Sequence, residues 1–314
     1  MAADNDISHL SSRVQLFLLG ALREKTIENY TEALRAFKIE LRDSEFDWRG
    51  STLDARDAWL ADFFVSQRED GGGRQKCVML LAALRKVCPS ERYAATGAVL
   101  QVWSSLQPPR QAPACPSSLA WAIGVLAVSS GQPAVGMIVV LCFEGVLRVS
   151  EPLRLRFRDI HLSQGALILV LSETKRGIEQ RVVIKNPAVR KWMTHYLARC
   201  GDKAEADDFV FGVSYGRVLY WIRKISTLLG FAELRLTSHS FRRGGASHLL
   251  DQGWPIADIM QFGRWASMSS AQEYLRIGSV YMLRCSKLFS PSCWERVNRL
   301  QSLTRLAWVA CPKA

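Results

Sequence analysis

The chain has 314 residues, of which 48% are hydrophobic and 22% charged, and its formal net charge is +12. This composition is typical of chains that bury a sizeable core, and it excludes a disordered or fibrous protein. No apolar run reaches the roughly 18 residues of a membrane-spanning helix, and the N-terminus shows no basic, apolar leader. We therefore expect neither a membrane segment nor a secretory signal.

The positive charge is unevenly distributed. Residues 1–107 carry a net charge of −1, whereas residues 108–314 carry +13. Such a basic excess predicts a polyanionic partner, above all nucleic acid, and a solvated basic surface is the alternative. The eight cysteines form no CxxC pair and no Cys/His ligand spacing, which favours reduced thiols inside a cell over a zinc site or a disulfide framework.

The first part of the chain, residues 1–107, is predicted to be a small helical domain. Apolar residues recur at helical spacing over 27–41, 59–64 and 78–87, and three glycines at 71–73 separate the last two segments. Four of the eleven prolines lie between positions 108 and 116. Because proline stiffens the backbone and removes amide donors, residues 108–118 are predicted to be a semi-stiff linker.

The second domain, residues 119–314, is predicted to be mixed but mostly helical. Apolar helices are expected over 119–128 and 135–147. Strand-like segments at 166–171 and 181–184 then predict a small antiparallel sheet, with a hairpin tipped by Lys175. Helical spacing returns over 188–200, 217–229 and from Phe241 onward. The predicted fold class is therefore mainly α with a small antiparallel β-sheet (α+β).

Residues 236–276 combine helix signals with residue types that bind phosphate. Capping residues, glycines and proline predict helices over about 237–251, 255–263 and 268–277. His239 and Arg242 are three positions apart, so both project from one face at the start of the first of these helices. Helix N-termini and arginine side chains are both good phosphate ligands.

These residues resemble the tyrosine recombinases, also called the phage integrase family. The resemblance rests on His239-Ser-Phe-Arg242, on Gly263-Arg-Trp265 and on Tyr274, nine residues after the tryptophan. Upstream, Gly145-Val-Leu-Arg148-Val-Ser-Glu151 is similar to the first-arginine box of the family. Residues 155–160 are similar to the strand that follows this box, and residues 173–177 are similar to the hairpin that carries the catalytic lysine. Residues 26–37 are similar to its helical core-binding domain, and the match spans roughly residues 10–290.

The resemblance implies cleavage and rejoining of DNA through a 3′-phosphotyrosine, without metal, ATP or any cofactor. Tyr274 is the implied nucleophile. Arg148 and Arg242 are implied to hold the non-bridging phosphate oxygens, and Lys175 to protonate the leaving 5′ oxygen. His239 is implied to act as base or proton donor, and Trp265 as N–H donor and packing residue. Glu151 is implied to support the arginine or the histidine. The implied contacts to DNA are Arg176, Arg243 and Arg264.

Each of these residues has an ordinary structural explanation when taken alone. Arg148 would usually form a cap or salt bridge, Lys175 would be a turn lysine, and Trp265 would pack in a core. Six residue types in the order and spacing of the family favour the functional explanation. Two departures are visible: Trp265 stands where many members have histidine, and Pro152 follows Glu151 where an aliphatic residue is more usual.

The function implied is site-specific recombination, as in integration or excision of a mobile element. The implied partner is double-stranded DNA and not a membrane, and the expected location is at DNA inside the cell, in the nucleus or nucleoid. Relaxation of DNA by a type IB topoisomerase and a catalytically silent DNA-binding protein are the alternatives.

Apolar residues at helical spacing also predict a C-terminal helix over 292–310. Its stripe consists of Trp294, Val297, Leu300, Leu303 and Ala307. The stripe either packs on its own domain or docks on a neighbouring protomer. The second alternative predicts a free monomer that forms a homo-tetramer on paired sites.

Overall fold

Helices make up most of the structure, a computed structural model that describes residues 24–44, 46–107, 112–171, 180–201, 204–272, 274–275 and 289–305. The described elements are mainly α-helical with one small antiparallel sheet, which confirms the predicted fold class. The chain divides into two units, Met1–Arg110 and Gln111–Ala314. Within the described ranges, no helix is both long and apolar enough to cross a membrane.

The first unit contains helices α1 (Glu24–Asp43), α2 (Leu53–Glu69), α3 (Arg74–Val87) and α4 (Ala94–Leu106). The first three were predicted and are confirmed. The sequence analysis missed α4, because small and polar residues interrupt its apolar pattern (AATGAVLQVWSSL). The core of this unit includes Phe37, Leu60, Phe64, Tyr93 and Trp103, each buried to 4% exposure or less.

A buried carboxylate fixes the start of α4 against α2. Asp57 accepts hydrogen bonds from the backbone N–H groups of Ala95 (2.7 Å) and Thr96 (2.9 Å) and from the Thr96 hydroxyl (2.6 Å). Burial raises the pKa of Asp57, but these hydrogen bonds outweigh it, and the pKa lies below its ordinary value. The carboxylate thus replaces an N-cap residue for a helix whose own sequence provides none.

The second unit is built on helices α5 (Ser117–Ser129) and α6 (Pro133–Glu144), which are buried along nearly their whole length. Single 3₁₀ turns at Pro152–Arg154 and Phe157–Asp159 lead into strands β1 (Ile160–Leu162), β2 (Leu167–Leu171) and β3 (Gln180–Ile184). The strands pair in the order β1-β2-β3, with Leu169 opposite both Ile160 and Val182. Helices α7 (Pro187–Cys200) and α8 (Tyr215–Leu228) follow.

Two predicted boundaries in this region are wrong. The helix expected over 135–147 ends at Glu144, because the chain turns at Val146, which has a left-handed φ of 47°. The segment 155–160, which resembled a strand, is mostly a 3₁₀ turn that enters β1 only at Ile160.

Three short helices carry the residues that resembled the recombinase motif: α9 (Ser238–Asp251), α10 (Ile256–Gly263) and α11 (Met268–Gln272). Thr237 is the N-cap of α9, and Gly253 takes the left-handed conformation after the helix, with φ 84°. The third helix is shorter than predicted and stops at Gln272, so that Tyr274 lies just beyond its end.

Two consecutive glycines set the depth at which α9 packs. A Cβ atom on Gly245 would lie 2.0 Å from the backbone oxygen of Phe143 in α6, and one on Gly244 would lie 2.0 Å from that of Cys115. Such distances are far below van der Waals contact, so neither position accommodates a side chain without a shift of the backbone. The glycines therefore bring the middle of α9 against the core of the unit.

The C-terminal helix α12 (Pro291–Ser302) continues as a 3₁₀ turn at Leu303–Arg305, and the predicted residues 306–310 lie outside the described residues. Of the two alternatives left open for its apolar stripe, the described residues show packing on its own unit. Val297 is fully buried in the core of its own unit, and the Trp192 indole N–H donates to the Thr304 carbonyl (2.9 Å). Trp294 and Leu300 pack partly against the same core, and Leu303 remains 39% exposed.

Candidate active site

The candidate site lies where four parts of the second unit meet: the turn after α6, the start of α9, the end of α10 and the residue pair after α11. These parts bring together Arg148, Glu151, Arg242, Trp265 and Tyr274, all predicted from the sequence. Lys175 and Arg176 lie outside the described residues, within 172–179 between β2 and β3.

Arg242 is at the centre of the site. Its side chain is buried (1% exposed), with Nη1 donating to the Val146 carbonyl and Nη2 to the Gly263 carbonyl, each at 2.5 Å. Its Nε finds no acceptor among the described residues. Burial, and then the positive charges of Arg148 and Arg264, lower the pKa of Arg242. An arginine nevertheless keeps its proton in proteins, so this guanidinium is a fixed, buried cation.

Arg148 is oriented by Glu151. The Glu151 carboxylate accepts from the backbone N–H of Arg148 (2.8 Å) and from its Nη1 (3.0 Å). The Arg148 side chain remains 30% exposed, whereas that of Glu151 is 4% exposed. Of the two partners predicted for Glu151, arginine and histidine, the structure thus shows the arginine, whose charged end is held in one place and still reachable by a ligand.

Two aromatic rings cover the Arg242 guanidinium. Trp265 lies 4.6 Å and Tyr274 5.6 Å from it, and the two rings are 5.0 Å apart. A Cβ atom on Gly263 would fall 1.8 Å from the Trp265 ring, so the tryptophan fits only above a glycine. The Tyr274 backbone is held by the Ala271 carbonyl (2.8 Å) and the Ser247 hydroxyl (3.2 Å).

Arg243 and Arg264, which were predicted as DNA contacts, are largely buried and donate to groups of the protein. Arg243 is 8% exposed, donates to the Ala112 carbonyl (3.0 Å) and packs 5.1 Å from the Tyr274 ring. The Arg264 side chain is 6% exposed and donates to Glu151. Both guanidiniums thus contact groups of the protein: Arg243 contacts the Ala112 carbonyl and the Tyr274 ring, and Arg264 contacts Glu151.

One functional group of the site carried no signal in the sequence. The Val146 carbonyl accepts hydrogen bonds from both Arg242 and Arg264, and it points to them because Val146 has a left-handed backbone. A β-branched residue rarely adopts this conformation, at a cost on the order of 1–3 kcal/mol. Since valine is ordinary in a helix or strand pattern, only the structure identifies it.

His239 lies at the start of α9 and is exposed as a residue. Partial burial of the ring lowers the pKa of His239 below 6.5, and the positive charges of Arg242, Arg243 and Arg148 lower it further. The imidazole is therefore neutral around neutral pH, the form that accepts a proton.

The effect of Arg148 on the pKa of His239 can be tested. Replacing Arg148 with glutamine removes one of the charges that disfavour imidazolium, so we expect the pKa of His239 to rise towards 6.5 in the Arg148→Gln variant. Titration of the His239 ring protons by NMR measures it. Arg299→Gln, which removes an exposed charge on α12, is the control and should leave the pKa unchanged. A pKa that falls or stays constant in Arg148→Gln would contradict the arrangement.

The site carries an excess of positive charge. Glu151 pairs with two guanidiniums, those of Arg148 and Arg264, and both of these lower the pKa of a third, that of Arg242. Such an excess is offset by an anion, and guanidinium groups match phosphate in geometry. The described residues contain no group of three or more His, Cys, Asp or Glu placed to hold a metal ion. Fold and site together define a mainly helical protein with an arginine-rich site beside a tyrosine.

The comparisons with known proteins identify the family. Residues 132–279 match the model of the phage integrase family. The tyrosine recombinase XerC of Rickettsia typhi is 29% identical over 143 residues, which cover 44% of this chain and 45% of that protein. XerC of Rickettsia prowazekii is 28% identical over 143 residues, with the same coverage. The chain thus spans about half the length of the curated relatives it matches. Residues 132–279 therefore form a domain of the phage integrase family, the tyrosine recombinases.

Solved structures show the same fold. The Tn1549 transposon integrase in complex with circular intermediate DNA has a TM-score of 0.59 at 12% identity, covering 87% of this chain and 98% of that one. A lambda integrase dimer bound to a COC′ core site has a TM-score of 0.58 at 15% identity, covering 84% and 93%. XerH recombinase bound to its difH substrate has a TM-score of 0.57 at 14% identity, covering 82% and 79%.

Proposed function

We propose that this protein is a site-specific DNA recombinase that integrates or excises a mobile element. The observation that carries the proposal is the tyrosine ring lying 5.6 Å from a buried arginine, in a site with more guanidiniums than carboxylates. A phosphodiester offsets that charge, and the tyrosine hydroxyl is the nucleophile that the site offers to it. The names of the relatives, recombinase and integrase, support the same activity.

The proposed reaction conserves the energy of the broken bond. Tyr274 Oη attacks the scissile phosphorus, so that a Tyr–O–P bond to the 3′ side forms while the bond to the 5′ oxygen breaks. The phenolic proton passes to a base, for which neutral His239 is suited, and the 5′ oxygen takes a proton from Lys175. Arg148 and Arg242 offset the negative charge that develops on the non-bridging oxygens. A free 5′ hydroxyl of another strand then reverses the step and releases the tyrosine.

We propose that double-stranded DNA is the partner and that the protein acts where its DNA is, in a nucleus or a nucleoid. The basic excess of residues 108–314 and the DNA in the complexes of the structural relatives support this partner. Residues 1–107 act as the core-binding domain, 108–118 as the linker and 119–314 as the catalytic domain of a clamp on DNA. Binding should weaken as salt rises, because phosphate contacts release counterions.

Strand exchange joins two sites, and we propose that a homo-tetramer forms on the paired sites from protomers that are monomeric when free. The tyrosine lies beside the arginines of its own chain, which supports cleavage in cis within each protomer. We infer that the contacts between protomers come from surfaces other than Val297 of α12, which is buried in its own unit.

The test is the capture of the covalent intermediate. The protein selects its site from a pool of random duplexes, and the selected sequence is prepared with a nick near the scissile bond, so that the cleaved fragment diffuses away. We expect the protein to become joined to this DNA, and Tyr274→Phe to form no adduct while still binding the duplex. Denaturing electrophoresis and peptide mass spectrometry measure the adduct and its position. An adduct that persists in Tyr274→Phe, or relaxation of supercoiled DNA without strand exchange, would reject the proposed function.

A further inference from the structure

Arg264 occupies a position that no part of the proposed reaction uses. It follows α10 with a left-handed φ of 60°, and its side chain is 6% exposed. Nη2 donates to Glu151 (2.7 Å) and to the Val146 carbonyl (3.2 Å), and Nη1 donates to the Phe262 carbonyl (3.2 Å). Both terminal nitrogens are thus engaged by acceptors of the protein, so this guanidinium is not available as a ligand of the phosphate.

Glu151 joins Arg264 to Arg148. One carboxylate oxygen, Oε1, accepts from Nη1 of Arg148, and the other, Oε2, accepts from Nη2 of Arg264 and from the backbone N–H of Arg148. The carboxylate is almost completely buried, at 4% exposed. A buried carboxylate with a single cationic partner would form a closer pair with it, because little solvent screens the attraction.

Sharing the carboxylate has a consequence for the exposed arginine. With Arg264 in place, Glu151 divides its charge between two guanidiniums, and Arg148 is aligned without being neutralised. The Arg148 side chain stays 30% exposed, whereas the Arg264 side chain is only 6% exposed. Without Arg264, the whole charge of Glu151 would act on Arg148 and compete with a phosphate for it.

The backbone conformation supports a positioning role. Val146 and Arg264 are both non-glycine residues with a left-handed φ, at 47° and 60°, and they are joined by the bond from Arg264 Nη2 to the Val146 carbonyl. Each such conformation is strained and persists where the surrounding structure enforces it. The same carbonyl accepts from Arg242, so the bond to Arg264 also fixes the acceptor that holds the central arginine.

We propose that Arg264 is a positioning residue, which acts through Glu151 and the Val146 carbonyl. It keeps Arg148 and Arg242 aligned with the phosphate, and it prevents Glu151 from neutralising Arg148. The proposal rests on the proposed function. Its alternative is that Arg264 only stabilises the fold.

The test compares two substrates. In a methylphosphonate diester, a methyl group replaces one non-bridging oxygen and removes the negative charge that the arginines offset. We expect Arg264→Met to slow adduct formation on the ordinary phosphodiester by up to about 10²-fold, as expected for a small misplacement of a catalytic group. On the methylphosphonate, Arg264→Met should slow adduct formation by about threefold or less, because this substrate lacks the negative charge that the misplaced guanidiniums would stabilise. Arg264→Lys, which keeps a charge, should lie between Arg264→Met and the wild type.

Controls separate the outcomes. Arg299→Met, which removes an exposed arginine of α12, should match the wild type on both substrates. A wild-type protein that forms no adduct on either substrate would reject the proposed function itself. If the wild type reacts, an unchanged rate in Arg264→Met, or an equal loss on both substrates, would overturn the positioning role. Thermal melts report folding, and loss of the folded state in both Arg264→Met and Arg264→Lys would assign Arg264 to the fold alone.

Discussion

Replacing Lys175 with alanine is expected to lower cleavage of an ordinary phosphodiester by about 10²- to 10⁴-fold, the usual contribution of a general acid. A substrate with sulfur in place of the leaving 5′ oxygen should restore the rate close to that of the wild type. A thiolate is a far weaker base than an alkoxide, so the sulfur leaves without a proton from the enzyme. Adduct formation on nicked duplexes with oxygen or sulfur at this atom measures the effect.

The arginine variants provide the matched control for this experiment. Arg148→Ala and Arg242→Ala should be slow on both the oxygen and the sulfur substrate, because their guanidiniums act on the non-bridging oxygens, which are the same in both. If sulfur fails to rescue Lys175→Ala, the lysine is not the acid. If sulfur also rescues the arginine variants, the rescue is not specific to the residue that protonates the leaving group, and the experiment does not assign that role to Lys175.

The second large effect is expected on stability. A methyl group on Gly245 would lie 2.0 Å from the Phe143 backbone oxygen, inside the core on which α9 packs. We expect Gly245→Ala to destabilise the second unit by about 3 kcal/mol, at the upper end of overpacking effects, because the atom it meets is backbone and not a flexible side chain. Urea unfolding followed by circular dichroism measures the free energy of unfolding.

Gly216 in the first turn of α8 is the matched control. A methyl group there would meet only the Ser214 hydroxyl oxygen, at 3.9 Å. Gly216→Ala should leave stability unchanged or raise it by up to about 1 kcal/mol, since alanine favours a helix over glycine. Equal stabilities for Gly245→Ala and wild type would mean that α9 can move away from α6 at little cost.

The family and most of the candidate site were predictable from the sequence. Order and spacing identify Arg148, Arg242, Trp265 and Tyr274, because a family motif fixes residue type and separation along the chain. The regular helices of the second unit were also predictable, since burial of one face imposes an apolar period of 3.6 residues. The fourth helix of the first unit was missed, because Asp57, distant in sequence, caps it in place of a local signal.

The sequence by itself determined the fold class, the resemblance to the family and the candidate residues of the site. Only the tertiary structure decided the partners of Arg243 and Arg264, which are largely buried and donate to groups of the protein. It also decided that Val297 of the α12 stripe is buried in the core of its own unit. The physical reason is the same in each case. Periodicity and motif spacing are local properties of the chain, whereas burial and the choice of an ion-pair partner depend on which distant segments pack together, as when Glu151 meets Arg264 across 113 positions of sequence.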